Sequence, residues 1–271
     1  MFESWKSFDI WTGITVITGL RYFVLAMLGW VICYKLFYNQ WFHRKIIQKH
    51  PSWKDMRREI MYSILSIIIF GTIGYLTVLA SRYGLTQLYW NVNERGWIWF
   101  LISIVLTIVL HDTYFYWTHR AMHHRRIYHW MHRVHHQSRN PTPWASFAFG
   151  PWEAMVQAGI FPLTALLFPI HPIAFGIFMG WQMINNVLGH SGFEFYPKAL
   201  MNGLMGRIFN TPTNHIMHHE HPGGNYGIYF NIWDRIMGTN HSDYENRFFK
   251  ITSSKKKPLV SGAAEEGVIK G

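Results

Sequence analysis

The chain predicts an all-α integral membrane protein: a helical bundle of about four to five spans, with a cytoplasmic histidine-rich helical cap holding a dinuclear metal site. Three observations predict it. Of 271 residues, 49% are hydrophobic and only 14% are charged, well below the roughly 25% charged residues of a soluble domain. Several apolar runs approach the roughly 20 residues that cross a bilayer as a helix. Finally, 8 of the 17 histidines fall between His111 and His136, spaced at helical intervals.

Composition also excludes several classes. The net charge is +11 with histidines neutral. Basic loops flanking membrane spans account for it, and no recognition motif accompanies it, so nucleic acid is not expected as a partner. Cys33 is the one cysteine, which excludes disulfides, thiolate metal sites and iron–sulfur clusters built by this chain. Glu3 and Asp9 argue against a cleavable signal peptide.

In chain order, residues 1–20 read as an aromatic lead-in at the interface, and Tyr22–Tyr38 as the first span, extended backwards past Arg21 if tilted. The segment Trp41–Glu59 carries six basic residues and reads as a polar loop with short helical character. Ile60–Ala80 is 21 residues without a formal charge, long enough to cross. Ser81–Arg95 is a short connection, and Trp97–Trp117 a third span bounded by interfacial aromatics. Asn140-Pro-Thr-Pro143 ends the helical run that follows, since each proline biases its predecessor away from helix. Pro151–Phe168 and Pro172–Leu188 read as a hairpin of two spans. The chain thus divides into an N-terminal membrane region (1–96), a catalytic region (97–250) and a tail (251–271) expected to be disordered.

Topology follows from charge. The 41–59 loop has six Lys/Arg against two in 81–95, so the former faces the cytoplasm. Two further crossings and the hairpin then bring every spaced histidine to that same face.

Those spacings carry the chemistry. His119 and His123 stand four apart, His132, His135 and His136 form an HxxHH group, and His215, His218 and His219 repeat it about 80 residues on. Residues at i, i+3 and i+4 share a helix face, so each group can aim two or three imidazoles at one point. Compositional bias would scatter histidines without regard to phase. His124, His129, His221 and His241 lie beside the groups but outside the spacing. Eight imidazoles exceed the needs of one ion, and a pair of ions suits them better. Structural zinc sites favour cysteine, and soluble di-iron bundles use Glu-x-x-His; neither pattern is present. An all-imidazole iron pair beside a lipid phase suits O2-dependent attack on an unactivated C–H bond.

The runs HDTYFYWTHRAMHH, HRVHH, NPTPWASFAFGPWEA, NNVLGHSG and NHIMHH…NYGIYFNIWDRIMGT together resemble the sterol desaturase / fatty acid hydroxylase superfamily, and most of all its C-5 sterol desaturase-like members. The resemblance runs from about Ile98 to Thr239 and is specific to the superfamily, not to one substrate. It implies a membrane-bound non-haem di-iron oxidoreductase that uses O2 to desaturate or hydroxylate a lipid, a sterol-type substrate being favoured over a fatty acyl, carotenoid or ether-lipid one. It also implies a separate electron donor, cytochrome b5-like or ferredoxin-like, since no such domain is fused here. The implied ligands are His119, His123, His132, His135, His136, His215, His218 and His219, with a ninth on His190. Where some relatives carry a further histidine this chain has Asn186, which puts one coordination position in question. His111 and Asp112, near the inner end of the third span, are expected either to orient a ligand imidazole or to hydrogen-bond between helices.

Weaker expectations attach to other residues. Trp144, Phe147, Phe149 and Trp152 line a lipid tunnel or anchor the interface; Glu153 is a helix N-terminal charge or a polar group at the site. Asn225, Tyr226 and Gly227 form a turn beneath the last histidine group, and Asp234 with Arg235 an ion pair or part of a donor-docking face. The ending VIKG lacks a dilysine retrieval pattern, which favours a bacterial cytoplasmic membrane over the endoplasmic reticulum. A histidine-based metal transporter is the competing class, and it predicts polar residues spread through the spans; a non-catalytic scaffold is the third. Purified protein can carry zinc in place of iron.

Overall fold

The computed structural model describes residues 7–254. Among these residues there is no β-strand, only isolated bridges such as Lys45 with Phe193. Three helices are long and apolar enough to cross a membrane: α1 (Ser7–Leu36), α2 (Trp53–Arg82) and α3 (Gly96–Met122). Exposed apolar side chains such as Ile17, Val24, Met27 and Leu101 stud their outer faces, as lipid contact requires.

α1 starts well before the expected span. The stretch after Trp11, expected as part of an aromatic lead-in, is rich in Thr and Gly, and small residues in membrane helices mark close helix contacts. A Cβ at Gly71 would collide with Thr15 Oγ1, and one at Gly74 would lie 3.0 Å from Ile14 Cγ2. Trp11 Nε1 donates to Thr72 Oγ1 across the pair (3.1 Å). The last six residues of α1, Val31–Leu36, are wound as a π-helix.

The loop after α1 is not a free polar loop. Ile46 N donates to Gly192 O (3.0 Å) and Glu194 N to Arg44 O (3.0 Å), tying residues 44–46 to the chain just after the last apolar helix. α2 already begins at Trp53, because the Ser52 side chain accepts from Asp55 N (3.0 Å) and caps its first turn.

The hairpin consists of α4 (Pro151–Ala158), α5 (Ile160–Leu167) and α6 (Pro172–His190). Neither arm is at once long and apolar enough to join the three spans. Pro162 cannot donate to Ala158, so the first arm breaks there. Gly159 fills the break, beneath a Tyr114 hydroxyl that donates to Val156 O (2.6 Å) and would lie 2.7 Å from a Cβ. α6 carries Gln182, Asn185 and Asn186, which lower its apolar character. The cap is completed by α7 (Pro212–Glu220) and α8 (Tyr244–Thr252). Residues 255–271, most of the expected tail, lie outside the described residues.

Candidate metal centre

α3 delivers His119 from its last turn and His123 as its C-terminal cap. The chain then turns through two single-turn helices, Tyr128–Met131 and Arg133–His136, with His132 at their junction. α6 ends on His190, and α7 presents His215, His218 and His219, its first turn capped by Thr211 and entered by Pro212. Glu194 accepts from Thr213 N (3.0 Å) and Thr213 Oγ1 (2.6 Å), which fixes the start of α7.

These nine histidines gather into two sets whose ligand atoms lie within 4.8 Å of one another: His119, His123, His132, His136 and His218 in one; His135, His190, His215 and His219 in the other. Each HxxHH motif is therefore divided. Its i and i+4 members enter one set and its i+3 member the other. Adjacent helical residues point about 100° apart, so a His-His pair feeds two neighbouring points, not the single point that the spacing alone suggests. His136 and His219, from different sets, have ring centroids 5.0 Å apart.

The protonation state follows from the partners. His119 Nδ1 donates to Tyr226 O (2.8 Å), His218 Nδ1 to Gly224 O (2.6 Å) and His190 Nδ1 to Asn186 O (2.8 Å). Carbonyls only accept, so in these rings Nε2 is the unprotonated nitrogen. The Nε2 atoms face one another: His119 to His132 2.9 Å, His123 to His218 3.1 Å, His136 to His218 3.0 Å and His136 to His123 3.2 Å. In the second set His190 lies 3.0 Å from His215 and 3.3 Å from both His135 and His219. Converging lone pairs at this spacing repel unless a cation lies among them. Nitrogens bound at about 2.0–2.1 Å to one ion sit roughly 2.9–3.4 Å apart for octahedral to tetrahedral angles. The donor set thus fits a pair of transition-metal ions.

Burial first, and then the neighbouring imidazoles, hold His132, His135, His215, His218 and His219 well below the ordinary histidine range; burial with the charge at His119 takes His136 down to about 3. The rings are neutral at physiological pH, ready to bind metal without first losing a proton.

Glu153 fills both of its expected places, in the first turn of α4 and against the histidines. It is fully buried, with Oε1 2.7 Å from His132 Nδ1, where it orients that ring. The turn at Asn225–Gly227 lies against the histidines as expected, with Asn225 in left-handed conformation (φ 57°). Asp234 accepts from Tyr226 N (2.9 Å), Gly227 N (2.7 Å) and Thr239 Oγ1 (2.7 Å), so the turn that supplies the carbonyl to His119 is itself clamped. The expected Asp234–Arg235 pair does not form. Neighbours on a helix diverge, and Arg235 reaches Glu245 instead (3.1 Å).

His111 and Asp112 touch no imidazole of either set. Asp112 accepts from Tyr229 N (3.1 Å) and Phe230 N (3.0 Å), and His111 Nδ1 bonds the Tyr229 hydroxyl (2.9 Å). Both join α3 to the 226–230 segment, which is not a helix, so the bond they make is neither to a ligand imidazole nor the helix-to-helix one expected. The Asn186 side chain donates to Ser146 O (2.7 Å) and stays out of the second set, while its main-chain carbonyl anchors His190. His124, His129, His221 and His241 belong to neither set.

Below the histidines, the bundle holds a cavity of about 270 Å³, open on one side and walled by residues such as Ile14, Phe70, Val78, Phe147, Phe161 and Phe175. Phe115 and Phe149 also line it and pack against His119 and His135, with ring centroids 4.9 and 5.2 Å apart. Of the four aromatics considered for a tunnel, Phe147 and Phe149 line this space. Trp144 instead accepts at its carbonyl from Tyr22 and Ser63, and Trp152 is exposed.

The family model for fatty acid hydroxylase matches residues 104–239, which include every histidine of both sets. The chain belongs to the fatty acid hydroxylase family. This family member is 31% identical over 219 residues to a Delta(7)-sterol 5(6)-desaturase of Gibberella zeae, spanning 80% of this chain and 66% of that one. It is 28% identical over 231 residues to lathosterol oxidase of Mus musculus (83% and 73%) and 27% identical over 275 residues to that of Homo sapiens (96% and 88%). No solved structure matches. These relatives are fungal and mammalian, and lend no support to the expected bacterial membrane.

Proposed function

We propose that the chain is a membrane-bound non-haem di-iron oxidoreductase that uses O2 and electrons from a separate cytochrome b5-like or ferredoxin-like carrier to desaturate or hydroxylate a lipid C–H bond, with a sterol-type substrate favoured. One observation carries the reading: two adjacent sets of mutually facing, neutral imidazoles stand over a largely apolar cavity inside a membrane bundle. The relatives named as sterol desaturases and lathosterol oxidases support the substrate class.

The nine histidines would hold two irons, and iron there supplies the redox chemistry that breaks an unactivated C–H bond with O2. The chain's own residues do the rest. Glu153 and the carbonyls of Asn186, Gly224 and Tyr226 fix the ring orientations. Phe115 and Phe149 keep the imidazoles dry on the lipid side, and α1 and α2, from the 1–96 region, help wall the cavity so that the 97–250 region has a lipid chamber. The cap faces the cytoplasm in this reading, where a soluble electron carrier can reach it.

The test is turnover. Protein loaded with ferrous iron in lipid nanodiscs, given a Delta(7)-sterol, O2 and a reductase–carrier pair, should yield a product lighter by two hydrogens or heavier by one oxygen. No conversion of sterol, fatty acyl lipid or carotenoid by metal-replete protein would overturn the proposal.

A further inference from the structure

The cavity below the histidines is not uniformly apolar: His111 and Asn186 at its wall are bonded to Tyr229 and Ser146, but three other polar side chains carry atoms with no partner within the protein. Gln157 on α4 and Gln182 on α6 are each 8% exposed and line it. Gln157 Nε2 and Gln182 Oε1 are shut off from solvent without a hydrogen bond, as are Nε and Nη2 of Arg21, which lines the same cavity from α1. Leaving a buried amide unpaired costs stability, and a guanidinium inside a span costs more. Arg21 lies 14 residues from Ser7 and 15 from Leu36, about 21 Å along the helix from either end, too far for its side chain to snorkel out. Among the described residues no carboxylate lines the cavity to pair with it.

Position adds to chemistry. Gln182 lies two turns before His190 on α6, Gln157 one turn beyond Glu153 on α4, and roughly 6–12 Å along the helix axes separate this polar layer from the histidine layer. Much of the remaining wall, including Ile14, Val78, Ile160, Phe161 and Phe175, is apolar. A molecule suited to such a chamber has one polar end near the histidines and an apolar body filling the rest.

The unpartnered groups include donors on Arg21 and Gln157 and an acceptor on Gln182. A hydroxyl both accepts and donates, so it can satisfy the guanidinium and either face of the two glutamine amides at once. We infer that Arg21, Gln157 and Gln182 form the subsite that holds a hydroxyl group of the lipid substrate, placing that hydroxyl, and not the distal end of the molecule, next to the carbons that react. This subsite rests on the lipid-oxidoreductase reading above and determines specificity within it.

The experiment is equilibrium binding of a tritiated Delta(7)-sterol, its 3-deoxy analogue and hexadecanoic acid to the full-length, metal-loaded protein in detergent, without reductant. Wild type should bind the hydroxyl sterol roughly tenfold or more tighter than the deoxy analogue, the range of a hydrogen bond to a charged group. Arg21→Met and Gln182→Leu should each remove most of that difference while leaving deoxy binding unchanged, which also reports that the variants fold. A wild type blind to the hydroxyl, or variants that weaken both sterols equally, would overturn the subsite. Arg21-dependent binding of the fatty acid in preference to the sterol would overturn the choice of a hydroxyl. Hydroxyl-dependent binding by a protein that never oxidises the sterol would instead sink the proposed reaction and leave the subsite standing.

Discussion

The two histidine sets lie side by side, yet they are held differently. In the first set His119 and His218 donate from Nδ1 to Tyr226 O and Gly224 O and His132 Nδ1 lies 2.7 Å from the Glu153 carboxylate, while Nδ1 of His136 is buried without a partner. In the second set His190 is anchored by Asn186 O, whereas Nδ1 of His135 and of His219 is buried without a partner. Outer partners fix ring orientation and raise ligand basicity. The first set is therefore the more preorganised, and in the proposed di-iron account it keeps its ion longer. The second set, with four rings and fewer anchors, is the more adaptable position.

The largest effect should come from removing one ring of each set. His218→Ala should cost the first ion and His190→Ala the second, each lowering metal content by about one equivalent per chain in elemental analysis and abolishing turnover. If either substitution emptied both positions, the sets would not be separable. Next, Glu153→Gln should weaken the first position by roughly 10–100-fold, the usual cost of losing such a partner, with the second position unchanged in a competitive chelator titration. Asp234→Asn should act in the same direction but more weakly, within about tenfold, because it only loosens the turn that presents Tyr226 O. Equal losses at both positions would contradict the comparison.

A smaller effect concerns pH. His132, His135, His136, His215, His218 and His219 are held below the ordinary value of about 6.5 by burial and by one another. The folded state therefore binds fewer protons than the unfolded state just below that value, and stability falls as pH drops. Thermal unfolding of metal-free protein should move to lower temperature between about pH 7 and pH 5, and a flat profile would contradict the assignment of neutral rings.

Much of this arrangement was legible in the sequence because histidine spacing is a geometric statement. Eight of the nine gathered rings come from three in-phase groups. The ninth, His190, stands alone in sequence and came only through resemblance to a family. The division of each HxxHH motif was readable in principle from the 100° step between neighbours, but the i, i+3, i+4 rule hides it. The carbonyls of Gly224 and Tyr226 carry no sequence signal, since every residue has one, and a structure was needed to show that Glu153, besides opening a helix, faces a ligand ring. The start of α1 was placed too late because residues 1–20 read as an aromatic lead-in, whereas their Thr and Gly pack helices in a membrane, and the break at Gly159 was lost because Pro162 was taken inside an apolar run. Arg21, Gln157 and Gln182 gave no sign at all, because the direction in which a lone polar residue on a span points depends on its neighbours.

The most direct measurement is stepwise iron release from gently purified, iron-loaded protein, read by metal analysis against a graded series of chelators. The account predicts close to two ions per chain, leaving in two resolved steps, with the earlier step unaffected by Glu153→Gln and the later step brought forward by it. One ion per chain, or two that leave together with no response to Glu153→Gln, would contradict the dinuclear centre described above.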